Sequence, residues 1–273
     1  MCAGLIGCGS IGTVIAKAID DGTAGKIELT TVYDIILEKA EHLVKVLKKK
    51  PIIAKTPDEI LNNEKIQIVI EAASQEAVRQ YSVKALSRNK DLMVMSTGAL
   101  IDGQLYRDIL RTAERNGRKV YIPSGAIVGL DNIKAASLRH IDEITLVTRK
   151  PPSSFAGAPL VEKKKIDLRA LNEPVVLFEG SARQAVKMFP KNVNVSASLS
   201  LAGIGPDRTK VRIIADPNVK VISHEIHVKG DFGELNTKTV NKPFPKNPKT
   251  SYIAALSAIA TLKKISGSIV IGT

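Results

Sequence analysis

Through the first half of the chain, short apolar runs alternate with longer stretches in which apolar positions recur every three or four residues. The runs Cys2–Cys8, Ile27–Asp34, Pro51–Ala54, Ile66–Glu71, Asp91–Ser96 and Lys119–Ile122 read as strands. The stretches Ile11–Asp20, Leu37–Lys49, Pro57–Asn62, Glu76–Arg88 and Asp102–Asn116 read as amphipathic helices. At Thr56-Pro57-Asp58-Glu59 a capping residue, a proline and two acids open one of them. Strand and helix in alternation, with short connections, predict a parallel sheet covered by helices on both faces.

The pattern changes after Ile122, and the turn-rich Pro123-Ser124-Gly125-Ala126 marks a boundary between domains at 1–122 and 123–248. The later strands, Ile141–Lys150, Val175–Glu179, Arg208–Ala215, Val219–Gly230 and Glu234–Lys242, alternate more clearly, as in a mixed or antiparallel sheet with one covered face. Helices near Ala182–Phe189 and Val193–Ala202 are expected to cover it, making a second domain of the α+β type. Pro151–Lys165, rich in Pro, Ser and Lys, reads as a mobile loop. An Ala-rich helix, Thr250–Ile265, capped by Thr250 or Ser251, ends the chain. By analogy with two-domain enzymes, this last segment (249–273) is expected to pack back on the first domain.

Composition narrows the possibilities. The 273 residues suit two domains, and 44% hydrophobic content is enough for real cores. No apolar run approaches the ~20 residues of a membrane span, and the chain enters a strand at once, so neither membrane anchor nor signal peptide is expected. Two cysteines, Cys2 and Cys8, make no disulfide framework and no metal site, which fits a reducing, cytoplasmic setting. The net charge of +13 comes from scattered lysines, with five Phe, five Tyr and no Trp. Without an aromatic platform beside the charge, a solvated basic surface is expected rather than a nucleic-acid site.

The first strand runs into Gly7-Cys8-Gly9-Ser10-Ile11-Gly12, the spacing G-x-G-x-x-G. Gly7 permits the tight turn, Gly9 lets backbone approach a pyrophosphate, and Gly12 lets the helix pack closely. The N–H groups at Ser10, Ile11 and Gly12 then face the anion at the helix N-terminus. The second strand ends in Asp34, about 20 residues further on, where a carboxylate accepts the adenosine ribose hydroxyls and repels a 2′-phosphate. The first domain therefore reads as Rossmann-type, binding NAD, with NADP the second possibility. Cys8 reads as a small residue under the phosphates. No cysteine follows it, which argues against a thiol-dependent aldehyde dehydrogenase.

Of four histidines, His42 and His140 read as surface residues. The other two lie in Val219–Gly230, where strand alternation puts His224 with Ile222, Ile226 and Val228, and His227 with Ser223, Glu225 and Lys229. A desolvated His224 stays neutral and can accept a proton, or it is simply a hydrogen-bonded core histidine. Two polar clusters, Glu71-Ala72-Ala73-Ser74-Gln75 and Ser96-Thr97-Gly98-Ala99, follow strand ends, where ligands gather in open α/β sheets; Ser124-Gly125-Ala126 lies at the domain crossing, Lys191-Asn192-Val193-Asn194 follows Phe189-Pro190, and Asn247-Pro248-Lys249-Thr250-Ser251 precedes the last helix. Each is also compatible with ordinary turn and cap chemistry.

Taken in order, the glycine loop, Glu71 to Val78, Met95 to Leu100, Ile122 to Ile127, Phe189-Pro190-Lys191-Asn192-Val193-Asn194-Val195, His224-Glu225-Ile226 and Asn247 to Tyr252 resemble the L-aspartate dehydrogenase family over nearly the whole chain. The resemblance implies NAD(P)-dependent oxidation of L-aspartate to iminoaspartate, which yields oxaloacetate and ammonia or feeds NAD biosynthesis through quinolinate synthase. It implies a homodimer. It maps the catalytic histidine to His224, and nicotinamide-side contacts to Ala126 and one of the pair Asn192 and Asn194, with Asn194 preferred. Ala73 and Ser74 are further cofactor candidates. Lys191, Asn192, Lys249, Thr250 and Ser251 are candidates for the substrate carboxylates. One departure is Val128, where the family usually has Gly.

Two rivals share the Rossmann half. One is a related oxidoreductase such as homoserine dehydrogenase or dihydrodipicolinate reductase. The other is a non-catalytic NAD-sensing protein, for which no appended interaction module is visible.

Overall fold

The computed structural model describes residues 1–190, 194–244 and 247–272, with the side chains of 247–250 outside the description. The chain divides into two compact units, 1–123 with 255–271, and 124–254 with the last two residues.

In the first unit the elements alternate: β1 (Cys2–Ile6), α1 (Ser10–Asp20), β2 (Glu28–Tyr33), α2 (Leu37–Val46), β3 (Ile52–Ile53), α3 (Pro57–Asn62), β4 (Ile68–Glu71), α4 (Gln75–Ser87), β5 (Asp91–Val94), α5 (Gly103–Arg115) and β6 (Val120–Tyr121). The six strands are all parallel, in the order β3-β2-β1-β4-β5-β6. Order reverses between β1 and β4, so the crevice beyond their carboxyl ends is where such a sheet binds ligands. Leu5, Ile15, Ile68, Ile70 and Met93 are fully buried around the sheet, and Ala258 and Leu262 of the C-terminal helix join the same cluster. Each such Leu or Ile stabilises the unit by about 1.5–3 kcal/mol.

Helix α2 stops earlier than its lysine-rich tail predicts. The Lys50 ammonium donates to the carbonyls of Val44, Lys45 and Leu47, satisfying the helix end. The Lys48 and Lys49 N–H groups turn instead to the Asp20 carboxylate.

The second unit runs α6 (Leu130–Ala136), β7 (Ile141–Lys150), α7 (Pro159–Lys164), β8 (Val175–Ser181), α8 (Ala182–Met188), α9 (Asn194–Ala202), β9 (Lys210–Ala215), β10 (Ile222–Gly230), β11 (Gly233–Asn241), β12 (Pro243–Phe244) and β13 (Asn247–Ser251), and α10 (Tyr252–Ser266) follows. Its five-stranded sheet has the order β11-β10-β7-β9-β8 and is mixed: β7 pairs β9 in parallel and every other pair is antiparallel. Ser181 and Gln184 form a reciprocal capping box that starts α8 immediately after β8.

Pro151–Lys165 is not a bare loop. It folds into a short 3₁₀ turn, Pro152–Phe155, and then α7. Phe155 is fully buried, packed edge-on against Phe189 with ring centroids 5.8 Å apart, and Leu160 and Val161 are buried as well. An aromatic whose partner lies far along the chain gives no local periodicity, so composition alone misreads this segment. For the same reason α6 and the small β12–β13 ladder are absent from the sequence expectation, and Asn247–Ser251 is a strand rather than a turn, with the last helix beginning at Tyr252.

Candidate functional site

At the carboxyl end of β1 the three glycines differ in what surrounds them. Gly7 has φ +104°, and a Cβ there would lie 2.6 Å from the Ala72 carbonyl. A Cβ on Gly12 would run into the Gly7 carbonyl oxygen. Both positions are closed to a side chain by backbone, the first also by its left-handed conformation. A Cβ on Gly9 would meet open space, so packing within the chain does not require a glycine there. Helix α1 starts at Ser10 with no side-chain cap and no acid in its first turn, which leaves its amino-terminal donors to an external anion.

Asp34 follows β2 and reaches this loop. One carboxylate oxygen accepts the Cys8 N–H at 2.8 Å and the other accepts the Ile36 N–H at 2.9 Å. A carboxylate has about four acceptor positions, so two remain for hydroxyls. Cys8 is buried, and burial, reinforced by Asp34, pushes its thiol up to about 12, so it is inert at neutral pH.

Glu71, at the end of β4, is 2% exposed and ties two loops together. It accepts the N–H groups of Ala73 (2.8 Å), Ser74 (2.9 Å), Met95 (3.2 Å) and Ser96 (3.0 Å), and the Ser96 hydroxyl (2.8 Å). Burial raises its carboxyl above the usual range even though these hydrogen bonds oppose the shift. The N–H groups of Ala73 and Ser74 thus face Glu71, and the Ser74 hydroxyl caps α4 by accepting from Ala77 N–H. A ligand at these two residues would meet carbonyls and side-chain surface. Gly7, Gly9, Ser10, Ile11, Gly12, Asp34, Ala73 and Ser74 therefore gather at the carboxyl ends of three adjacent strands.

The second unit holds the other cluster. His224 is 3% exposed on the covered face of β10, whose buried residues are Ile222, His224, Ile226 and Val228, while His227 is exposed. Directly opposite on β7 stands Thr148, with its Oγ1 3.0 Å from His224 Nδ1. Burial, and then the Lys150 ammonium, depress the imidazole to about 3, so the ring is neutral at ordinary pH. On the other side, Thr239 of β11 pairs with His224. The Thr239 hydroxyl and the Asn241 amide both donate to the Ala126 carbonyl, at 3.1 and 2.9 Å. This clamp fixes the 124–129 loop beside the His224 strand. A Cβ on Gly125 would touch Val195, which brings the start of α9, and Asn194 with it, to the same loop. Val128 is half exposed, so its bulk does not displace the buried Ala126.

Among the substrate candidates, Ser251 is buried at the end of β13. Lys249 and Thr250 lie on the same strand without described side chains, and Lys191 and Asn192 fall outside the described residues. Thr148, Lys150, Thr239 and Asn241 were missed at the sequence level, and Glu71 was read only as part of a polar cluster; a buried polar residue within an apolar alternation is the signal that marks Thr148 and Lys150. Among the described residues, no three His, Cys, Asp or Glu side chains group to hold a metal, and no helix is long and apolar enough to cross a membrane.

A glycine cradle of this kind, in a chain whose other unit presents a neutral buried histidine, defines a nicotinamide-dinucleotide-dependent oxidoreductase with a separate substrate domain. Residues 7–123 match the family model described as homoserine dehydrogenase, NAD binding domain, and residues 131–265 match aspartate dehydrogenase, C-terminal. The chain is 51% identical to an L-aspartate dehydrogenase of Methanosarcina barkeri, over 99% of this chain and 98% of that one. It is 44% identical to one of Nitrosopumilus maritimus, over 98% of each. A crystal structure of aspartate dehydrogenase from Thermotoga maritima superposes with a TM-score of 0.77 at 26% identity, covering 100% of this chain and 99% of that one. The chain belongs to the L-aspartate dehydrogenase family.

Proposed function

We propose that this protein oxidises L-aspartate to iminoaspartate, with NAD preferred over NADP, and that water then releases oxaloacetate and ammonia. The observation that carries the reading is the buried, neutral His224 held by Thr148 in a chain of this family. The cradle at Ser10, Ile11 and Gly12 fits the pyrophosphate, because Gly9 alone of the three motif glycines opens onto free space. Asp34 has acceptor capacity left for the ribose hydroxyls, and a 2′-phosphate there would face a carboxylate. Ala73, Ser74, Ala126 and Asn194 serve the remainder of the dinucleotide. When bound, NAD supplies the acceptor for the hydride that leaves the substrate Cα.

The chain's own residues manage the proton. Hydride loss needs a neutral amine, so His224 accepts one proton, either from the substrate ammonium or later from the attacking water. To accept at Nε2, the ring must carry its other proton on Nδ1 and donate it to Thr148 Oγ1. Burial keeps the imidazole unprotonated and available. Ser251, with Lys191, Asn192, Lys249 and Thr250, completes the candidate set for the carboxylates. By the same family reading the protein works as a cytoplasmic homodimer and hands iminoaspartate to quinolinate synthase for NAD biosynthesis.

Absorbance of NADH, with NAD and L-aspartate run beside NADP, L-glutamate and homoserine, tests the reading. Reduction with aspartate alone supports it; reduction with homoserine alone, or none, refutes it. The variant His224→Ala is expected to lose about 10²–10⁴-fold in turnover while binding NAD normally.

A further inference from the structure

The covered face of the second sheet carries a further polar pair beside Thr148 and His224. Register sets Thr239 of β11 opposite His224 and Asn241 opposite Ile222, so both side chains stand on the face that buries the imidazole. Asn241 is buried, and an amide is poorly suited to a strand and costly to bury unless its donors are used. Both of them are. One amide hydrogen goes to the Ala126 carbonyl at 2.9 Å and the other to Thr239 Oγ1 at 3.3 Å. The single Thr239 proton then goes to the same Ala126 carbonyl at 3.1 Å, while its oxygen lies 3.4 Å from the His224 carbonyl. Two donors thus fill both lone pairs of one carbonyl. Ala126 belongs to a turn outside any strand or helix, so side chains rather than a sheet ladder hold it in place.

We propose that Thr239 and Asn241 are positioning residues for the oxidation: through the Ala126 carbonyl they lock the nicotinamide-side turn to the strand that carries His224. The inference rests on the reading above that Ala126 serves the dinucleotide and His224 the proton. Hydride and proton leave adjacent substrate atoms, Cα and the amine nitrogen, so the groups that receive them must keep a fixed separation. His224 is held at its ring by Thr148 and along its backbone by the β7 and β11 ladders. The Thr239 hydroxyl carries that frame on to Ala126, and Asn241 fixes the hydroxyl's own orientation by donating to it. With both lone pairs of its carbonyl taken, Ala126 is left with its N–H and its methyl group for a ligand. A displacement of about 1 Å in such a frame costs on the order of 10²-fold in rate.

The test uses the full chain, with Thr239→Val, which keeps the shape and loses the hydroxyl, combined with Asn241→Leu, which loses the amide. L-aspartate turnover with NAD is measured beside calorimetric binding of NADH and of ADP-ribose, which lacks the nicotinamide. The double variant is expected to lose about 10²-fold in kcat at constant aspartate KM. It should bind NADH about 3–10-fold more weakly, the equivalent of one hydrogen bond, with ADP-ribose affinity unchanged. Thr239→Ser, which keeps the hydroxyl, should recover most of what Thr239→Val loses. An unchanged kcat, an equal weakening of NADH and ADP-ribose, or a Ser variant as impaired as the Val variant overturns the proposal. Where the double variant fails to fold, Thr239→Val alone decides on the same readouts. If the wild type binds NADH yet does not oxidise aspartate, the reaction assignment fails while the NADH and ADP-ribose comparison still decides the role of the pair.

Discussion

Acidification should cost this protein stability through one identifiable ring. His224 is held at about 3 in the folded state against 6.5 when exposed. Between those values the unfolded chain binds a proton that the folded chain refuses, so stability falls as pH drops below 6.5 and the loss is complete near 3. At about pH 4.5 the unfolded ring gains two pH units of protonation free energy, about 2.7 kcal/mol at 1.36 kcal/mol per unit. Lys150 adds no slope in this window, because it titrates at about 8 folded and 10.5 unfolded and is charged in both states below that. The comparison is urea unfolding of wild type and His224→Gln, followed by circular dichroism at about pH 7 and 4.5. Carboxylates, including Glu71, affect both proteins alike and cancel in the double difference. The wild type should lose about 2–3 kcal/mol more than the variant on acidification, and the His224 ring should show no NMR titration above pH 5. Parallel losses in the two proteins, or a ring titrating near 6.5, would refute the argument.

The glycine loop separates packing from binding. Gly12→Ala drives a methyl into the Gly7 carbonyl and should cost about 1–3 kcal/mol in a thermal melt, whereas Gly9→Ala should leave the melt unchanged and still weaken NAD binding in calorimetry. Replacing Asp34 by Asn removes the charge but keeps an oxygen for the Cys8 or Ile36 N–H; the NADP-to-NAD ratio of kcat/KM should rise at least about tenfold, and a constant ratio would exclude Asp34 from cofactor choice. Glu71→Ala strands buried donors on two loops, and unfolding should become easier by at least about 3 kcal/mol, with a weaker NAD complex as the second readout.

The alternation of short strands and helices, the glycine cradle and the acid after β2 were all legible because each is local. Turn geometry, helix start and strand end lie within a few residues of one another, and side-chain chemistry dictates each. The two-residue period of Val219–Gly230 likewise announced which way His224 points. Periodicity could not say what His224 meets. Thr148 is 76 residues away along the chain, and only the β7–β10 register sets its hydroxyl against the ring.

The same limit explains the other differences. Glu71 stood within a recognised cluster, but its partners Met95 and Ser96 come from the next strand, so its role as the tie between two loops needed the sheet. Pro151–Lys165 looked like a loop because proline, serine and lysine dominate it, while the burial of Phe155 against Phe189 decided otherwise. Lys150, in sequence one more lysine in a chain with a net charge of +13, is seen to be buried only once β7 takes its place in the second sheet. What sequence determined here are features whose energetics act within a turn or along a strand; what tertiary structure decided are burial and the distant partners that set a group's charge state.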